Sequence, residues 1–190
     1  ILYCGATPIF ADIDSETWNI DPDDIERKIT RKTKAIIAVD FTGQAAKLDE
    51  IRAICKDYHL ILIEDAAHAI GTKYKGIPVG NISDMTTFSF HPVKTITCGE
   101  GGAILTNNEA YYNKMKLFRT HSITHEPNYM SKNPYNGYNE QIDLGYNYRM
   151  TDIQASLGIS QLAKIERFIS RRREIVRQYN EAFINMLGLA

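Results

Sequence analysis

Two residues have types and positions suited to covalent chemistry: Lys94, within "FSFHPVKTITCGEGGAILTN", and Asp65, within "IEDAAHAIG". Each lies just past a short apolar run of strand character, and in a parallel sheet the carboxyl ends of the strands are where ligands are received. An amine and a carboxylate meeting in a partly dry crevice lose hydration, so they need a shared partner. A pyridine cofactor would supply one. The lysine forms an imine with its aldehyde, and the carboxylate pairs with the protonated ring nitrogen, which holds the ring as an electron sink. Spacing alone leaves open, and by itself favours, a plainer arrangement in which Asp65 caps "AAHAIG" and Lys94 points to water.

The neighbouring residues narrow the chemistry. Ser89 has no Ser-His-Asp signature and "FSF" is not a nucleophile elbow, but its hydroxyl beside the lysine loop could bind a phosphate. The glycines of "GEGG" precede an apolar run, whereas glycine-rich phosphate loops follow a strand and open a helix, and no Walker pattern occurs. This argues against a dinucleotide oxidoreductase and for a sharp chain reversal. His121 and His125 stand in "HSITH", which lacks the glutamate of a helical zinc motif, and Pro127 follows closely. They read as loop histidines, and no metal is expected. Arg171, Arg172 and Arg173 read as a solvated helix face.

Positioning these groups requires a scaffold, and the chain alternates strand-type runs with helical patterns. That alternation predicts an α/β fold with a mostly parallel sheet flanked by helices. "TPIFADID" reads as the first strand. In "NIDPDDIERKI", Asp21 can cap, Pro22 suits the first helical position, and Asp23 and Asp24 suit the positive end of the dipole. "AIIAV" is a continuous apolar run, as expected of a strand buried on both faces. Leu48, Ile51, Cys55 and Tyr58 recur at helical spacing, and "LILI", "MTTFSF" and "AILT" are further strands. "NEAYYNKMKLF" reads as a helix capped by Asn108. The stretch from His121 to Tyr148, rich in Asn, Tyr, Pro and Gly, reads as a long functional loop. From Thr151 one long helix is predicted, with an apolar stripe from Ile153 to Phe183.

The bulk numbers agree with an ordinary globular chain of 190 residues, enough for one domain with a sizeable core. A formal net charge of -1 gives no general attraction to nucleic acid or membrane. Three scattered cysteines without a CxxC pair suit a reducing cytosol, and the apolar runs are too short to cross a bilayer. No signal segment opens the chain, which starts at Ile1 as if inside an element, so a fragment of a longer protein is expected.

Three blocks, "IEDAAHAIG", "FSFHPVKTITCGEGGAILTN" and "LGYNYRMTDIQASLGISQL", together resemble the signature blocks of the DegT/DnrJ family of nucleotide-sugar aminotransferases. These are pyridoxal 5'-phosphate enzymes of fold type I, and the resemblance runs in order along essentially the whole chain. It implies that Lys94 forms the imine and shuttles the proton. Asp65 would face the pyridine nitrogen, His68 would lie near the ring and Ser89 would bind the phosphate. Asn147 would reach the phosphate of a neighbouring subunit's cofactor, which implies a homodimer with a shared active site. Residues 1–150 would form part of the cofactor-binding large domain, and 151–190 a long helix leading towards a small C-terminal domain.

Within the family, "VDFTGQ", "FSFHPVK" and "GYNYRMTDIQ" are most similar to the branch making UDP-4-amino-4,6-dideoxy-N-acetyl-β-L-altrosamine on the route to pseudaminic acid, a sugar of bacterial surfaces and flagella. The implied reaction moves an amino group from L-glutamate to C4 of a UDP-linked 4-keto-6-deoxy sugar, in the cytoplasm. Related enzymes aminate C3 or C4 of other nucleotide sugars. A dehydratase of the same fold has histidine in place of the lysine, so Lys94 speaks against that reading. A non-catalytic sensor with this fold is the rival from another class. Alone, the fragment is expected to bind cofactor weakly and to turn over nothing.

Overall fold

The computed structural model describes residues 1–131, 137–184 and 186. Helix α1 (Pro22–Lys28) starts where local chemistry dictates, with the Asp21 side chain accepting from the Asp23 N–H and Pro22 in the first turn. Strand β1 (Ala35–Val39) follows, then α2 (Leu48–Asp57) and β2 (Ile61–Asp65). A small antiparallel hairpin, β3 (Lys73–Tyr74) and β4 (Ile77–Pro78), leads to β5 (Met85–Ser89), β6 (Gly102–Leu105) and α3 (Glu109–Phe118). The order in the main sheet is β1-β2-β5-β6. β1, β2 and β5 run parallel, and β6 is antiparallel to β5.

One face of this sheet carries the core. Ile36 and Ala38 of β1 and Leu62 of β2 pack with Ile25 of α1 and with Leu48, Ile51 and Cys55 of α2. The opposite face is open. Ile37 and Val39 are 39% and 44% exposed, so β1 alternates between buried and exposed residues and is not covered on both sides as its apolar run predicts. An unbroken apolar run reports residue type; cover on the second face has to come from other elements.

The predicted first strand does not form. Here the Asp12 N–H donates to Asp24 Oδ2 (2.6 Å), the Ile13 N–H to Asp12 Oδ1, and the Glu16 and Thr17 N–H groups to Asp14 Oδ1, while the Asp14 N–H goes to the Asn19 carbonyl. Local carboxylate acceptors thereby outcompete a ladder, and only an isolated Ile13–Ile20 bridge remains.

The stretch from His121 to Tyr148 holds a short antiparallel pair, β7 (Ile123–Thr124) with β8 (Glu140–Gln141), so it is not wholly irregular; residues 132–136 lie outside the described residues. The predicted single helix from Thr151 is two, α4 (Asp152–Leu162) and α5 (Ile165–Phe183). Thr151 and Gln154 close a capping box at the start of α4. At its end Lys164 donates to the Gln161 carbonyl, a tightened turn, and α5 restarts from Lys164. Residues 185 and 187–190 lie outside the described residues. Ile153, Val176 and Tyr179 of the predicted stripe are exposed.

Candidate active site

Strand alternation sends consecutive acids of β2 to opposite faces: Glu64 is fully buried against the core, and Asp65 is half-buried on the open side. Asp65 is in register with Thr87 of β5, which places Ser89, two residues further on, on the same open face at the end of the neighbouring strand. Asp65 Oδ1 accepts from the Ala67 N–H (3.1 Å), while Oδ2 makes no hydrogen bond among the described residues. The capping arrangement is therefore met by one oxygen only, and it closes a turn. The segment that follows is a series of turns, in which Ala69 donates to the Ala66 carbonyl and Thr72 to that of Ala69.

Lys94 sits in the loop that leaves β5. Phe90 anchors this loop: its N–H donates to the Gly101 carbonyl (2.8 Å), and its own carbonyl accepts from the Cys98 N–H and the Thr97 hydroxyl (both 3.0 Å). Inside the loop, the Lys94 N–H donates to the His91 carbonyl, and the His91 N–H donates to Ser89 Oγ (3.3 Å). Lys94 is half-buried, and its ammonium makes no hydrogen bond or ion pair among the described residues. The glycine reversal returns the chain as β6. At Gly102 a Cβ would lie 2.7 Å from the Phe88 carbonyl oxygen, so this antiparallel approach requires a residue without one.

The other motif residues are gathered by backbone packing. His68 is exposed, and its carbonyl lies against Gly43 of the "DFTGQ" loop. Ile165 and Ile169 of α5 cover Gly71, and Gly158 of α4 meets Cys98. Met150 packs on Gly101, so the "GYNYRM" block touches the lysine loop. Asn147 itself is exposed, bridges the backbone of Thr120, and its side chain makes no hydrogen bond among the described residues. The structure thus brings Asp65 and Ser89 to adjacent strand ends with Lys94 in the following loop, and leaves the His68 and Asn147 side chains at the surface. Arg171 pairs with Glu174 one helical turn on, as a solvated face does.

Two acids escaped the sequence reasoning. Asp40, just after β1, and Glu64 are both fully buried. Burial and the Glu64 carboxylate push the Asp40 carboxyl up to about 7. The available signal was alternation: Glu64 continues the buried positions of "LILIED", and Asp40 continues those of "AIIAVD".

The donor set is an acid and a hydroxyl at adjacent strand ends, with an amine in the following loop that is unpaired among the described residues. In donor chemistry that set fits a phosphorylated pyridine aldehyde.

Comparison with known proteins identifies the relatives of this chain. The model of the DegT/DnrJ/EryC1/StrS aminotransferase family matches residues 1–189. GDP-perosamine synthase of Escherichia coli O157:H7 is 44% identical over 95% of this chain and 47% of its own length. The uncharacterized protein MJ1066 of Methanocaldococcus jannaschii is 49% identical over 100% of this chain and 49% of its own. Among solved structures, Helicobacter pylori PseC, an aminotransferase involved in the biosynthesis of pseudoaminic acid, superposes with a TM-score of 0.91 at 35% identity, covering 98% of this chain and 48% of its own. The putative sugar aminotransferase Spr1654 of Streptococcus pneumoniae, solved in PLP and PMP forms, gives TM-scores of 0.83 and 0.86 at 33% and 32% identity, covering 97% of this chain and 50% and 51% of its own. The chain spans about half the length of the relatives it matches. With the family model matched over residues 1–189, the chain belongs to the DegT/DnrJ/EryC1/StrS aminotransferase family.

Proposed function

We propose that the full-length protein is a pyridoxal-phosphate-dependent aminotransferase that moves an amino group from an amino acid, L-glutamate in our reading, to C4 of a UDP-linked 4-keto-6-deoxy sugar. One arrangement carries this reading: Asp65 and Ser89 share an open sheet face at adjacent strand ends, and the Lys94 amine, unpaired among the described residues, is in the loop between β5 and β6. The bound cofactor supplies the electron-accepting ring. Asp65, whose Oδ2 is unengaged among the described residues, would hold the proton of the ring nitrogen. The Ser89 oxygen already accepts from His91, so its O–H is left to donate to the phosphate. Lys94, tied to no carboxylate among the described residues, would accept and return the proton removed from the carbon of the amino donor. The exposed Asn147 serves the phosphate site of a second subunit, in a homodimer with a shared active site, and His68 borders the ring.

The UDP-linked 4-keto sugar is preferred on the structural likeness to PseC. A GDP-linked keto sugar is the second reading, favoured by the 44% identity to GDP-perosamine synthase. The test offers both sugars to the full-length protein with pyridoxal phosphate and L-glutamate and identifies products by mass spectrometry. Amination of the UDP sugar at C4 is expected. Amination of the GDP sugar alone would move the second reading to the front, and amination of neither would reject both.

A further inference from the structure

Behind the proposed cofactor face lies an acid pair that the reaction does not use. Ala38, Glu64 and Thr86 are in register across three parallel strands, and Glu64 Oε2 accepts from the Thr86 hydroxyl (2.7 Å). Asp40 follows β1 on the same buried side. Its Oδ1 accepts from the Ala46 N–H (3.0 Å), and its own N–H donates to the Asp65 carbonyl (3.0 Å). The remaining oxygens, Asp40 Oδ2 and Glu64 Oε1, are both buried without a donor.

The surroundings do not supply one. Among the described residues neither acid forms an ion pair, and Lys47 and Arg52 are held by Asp14 and Asp84. From α2 the core receives Leu48, Ile51 and Cys55, whose thiol is itself pushed up to about 11 by burial and so stays neutral. Asp65, one residue on from Glu64, adds a further negative charge. Two adjacent carboxylates in such a place cannot both stay ionised, and a single hydrogen between the two orphaned oxygens satisfies both.

We propose that Asp40 keeps a proton in the folded protein and donates it from Oδ2 to Glu64 Oε1, an acid–carboxylate clamp that fastens the ends of β1 and β2 behind Asp65. Asp40 is then a positioning residue. It reaches Asp65 through the Asp40 N–H and through Glu64, the chain neighbour of Asp65. The importance of the clamp to catalysis rests on the role proposed for Asp65; the proton itself does not.

The sign of the pH dependence follows from where the proton resides. Burial pushes the Asp40 carboxyl in the folded protein up to about 7 from its ordinary 3.8, so between these values the folded protein binds a proton that the unfolded chain has lost. The stabilisation is fully present below the lower value and is lost as pH rises through the upper one.

The test compares the full-length protein with Asp40→Asn and Glu64→Gln. Wild type should show the infrared carbonyl band of a buried carboxylic acid that disappears with a midpoint near pH 7, Asp40→Asn should lack it, and Glu64→Gln should shift its frequency and midpoint. The Asn amide donates at every pH, so the Tm difference between Asp40→Asn and wild type should move in the variant's favour as pH rises through the window. Amide exchange over residues 64–67 should likewise accelerate more in wild type than in Asp40→Asn. Absence of the wild-type band, or parallel Tm profiles, overturns the clamp. If Asp40→Asn does not fold, the wild-type infrared titration and Glu64→Gln still decide. Both readouts work on cofactor-free protein, so a protein that shows the band but takes up no pyridoxal phosphate would keep the clamp and refute the functional reading.

Discussion

Glu64 and Asp65 are neighbours in the chain and face opposite sides of the same sheet, Glu64 fully buried in the core and Asp65 half-buried on the open face. The strand thereby connects the structural acid directly to the acid proposed for the chemistry. A shift of β2 by one residue would exchange them, so the register with β1 and β5 is a functional constraint as much as a folding one.

Lys94→Ala in the full-length protein should lower transamination by more than the ~10²–10⁴-fold typical of losing proton transfer, because the covalent anchor is lost as well. The half-buried side chain makes no hydrogen bond or ion pair among the described residues, so thermal unfolding should change little. Steady-state kinetics and a melting curve on one preparation check both halves. A variant that keeps full ligand binding and loses little turnover would favour the sensor reading.

Ser89→Ala should weaken cofactor binding by about 10- to 100-fold, the range of a hydrogen bond to a charged group. Its acceptor role towards the His91 N–H is at 3.3 Å and outside the core, so folding should persist. Fluorescence titration of the apo protein with pyridoxal phosphate measures the change.

Gly43→Ala and Gly76→Ala separate backbone strain from collision. Both glycines have positive φ, 92° and 85°, but a Cβ at Gly43 would sit 2.9 Å from the His68 carbonyl oxygen, whereas Gly76 meets nothing within 4 Å. The left-handed backbone alone costs roughly 1–3 kcal/mol for other residues. Gly43→Ala should therefore lose more stability in urea than Gly76→Ala, and should also disturb the segment beside Asp65.

Cys4 should react with thiol reagents well before Cys55 or Cys98. Cys4 is exposed, whereas burial raises the Cys55 thiol to about 11 and also raises that of Cys98. Mass-spectrometric mapping after a brief alkylation near neutral pH would show the order, and early labelling of Cys55 would mean that α2 opens locally.

The parts of the fold readable from sequence are those written in local chemistry. Asp21 with Pro22 starts α1, and Asn108 starts α3 by accepting from the Tyr111 N–H. The positions of Asp65 and Ser89 at strand ends, and of Lys94 in the loop after β5, are readable from the strand-type runs, whereas the roles proposed for them come from the family resemblance. What stayed hidden depends on tertiary partners. Residues 7–14 have strand composition, but the Asp12 and Ile13 N–H groups go to carboxylates and that of Asp14 to the Asn19 carbonyl. The break at Lys164 carries no Gly or Pro and shows only where α4 and α5 pack on Cys98 and Gly71. Asp40 and Glu64 look like ordinary polar strand ends until register puts them on the buried face.

The most direct test of the central claim traps the cofactor on its lysine. Pyridoxal phosphate is added to the full-length protein, the complex is reduced with borohydride and digested, and the modified peptide is sequenced by mass spectrometry. The account predicts a single pyridoxyl group on Lys94. No label, or label spread over surface lysines, would contradict it.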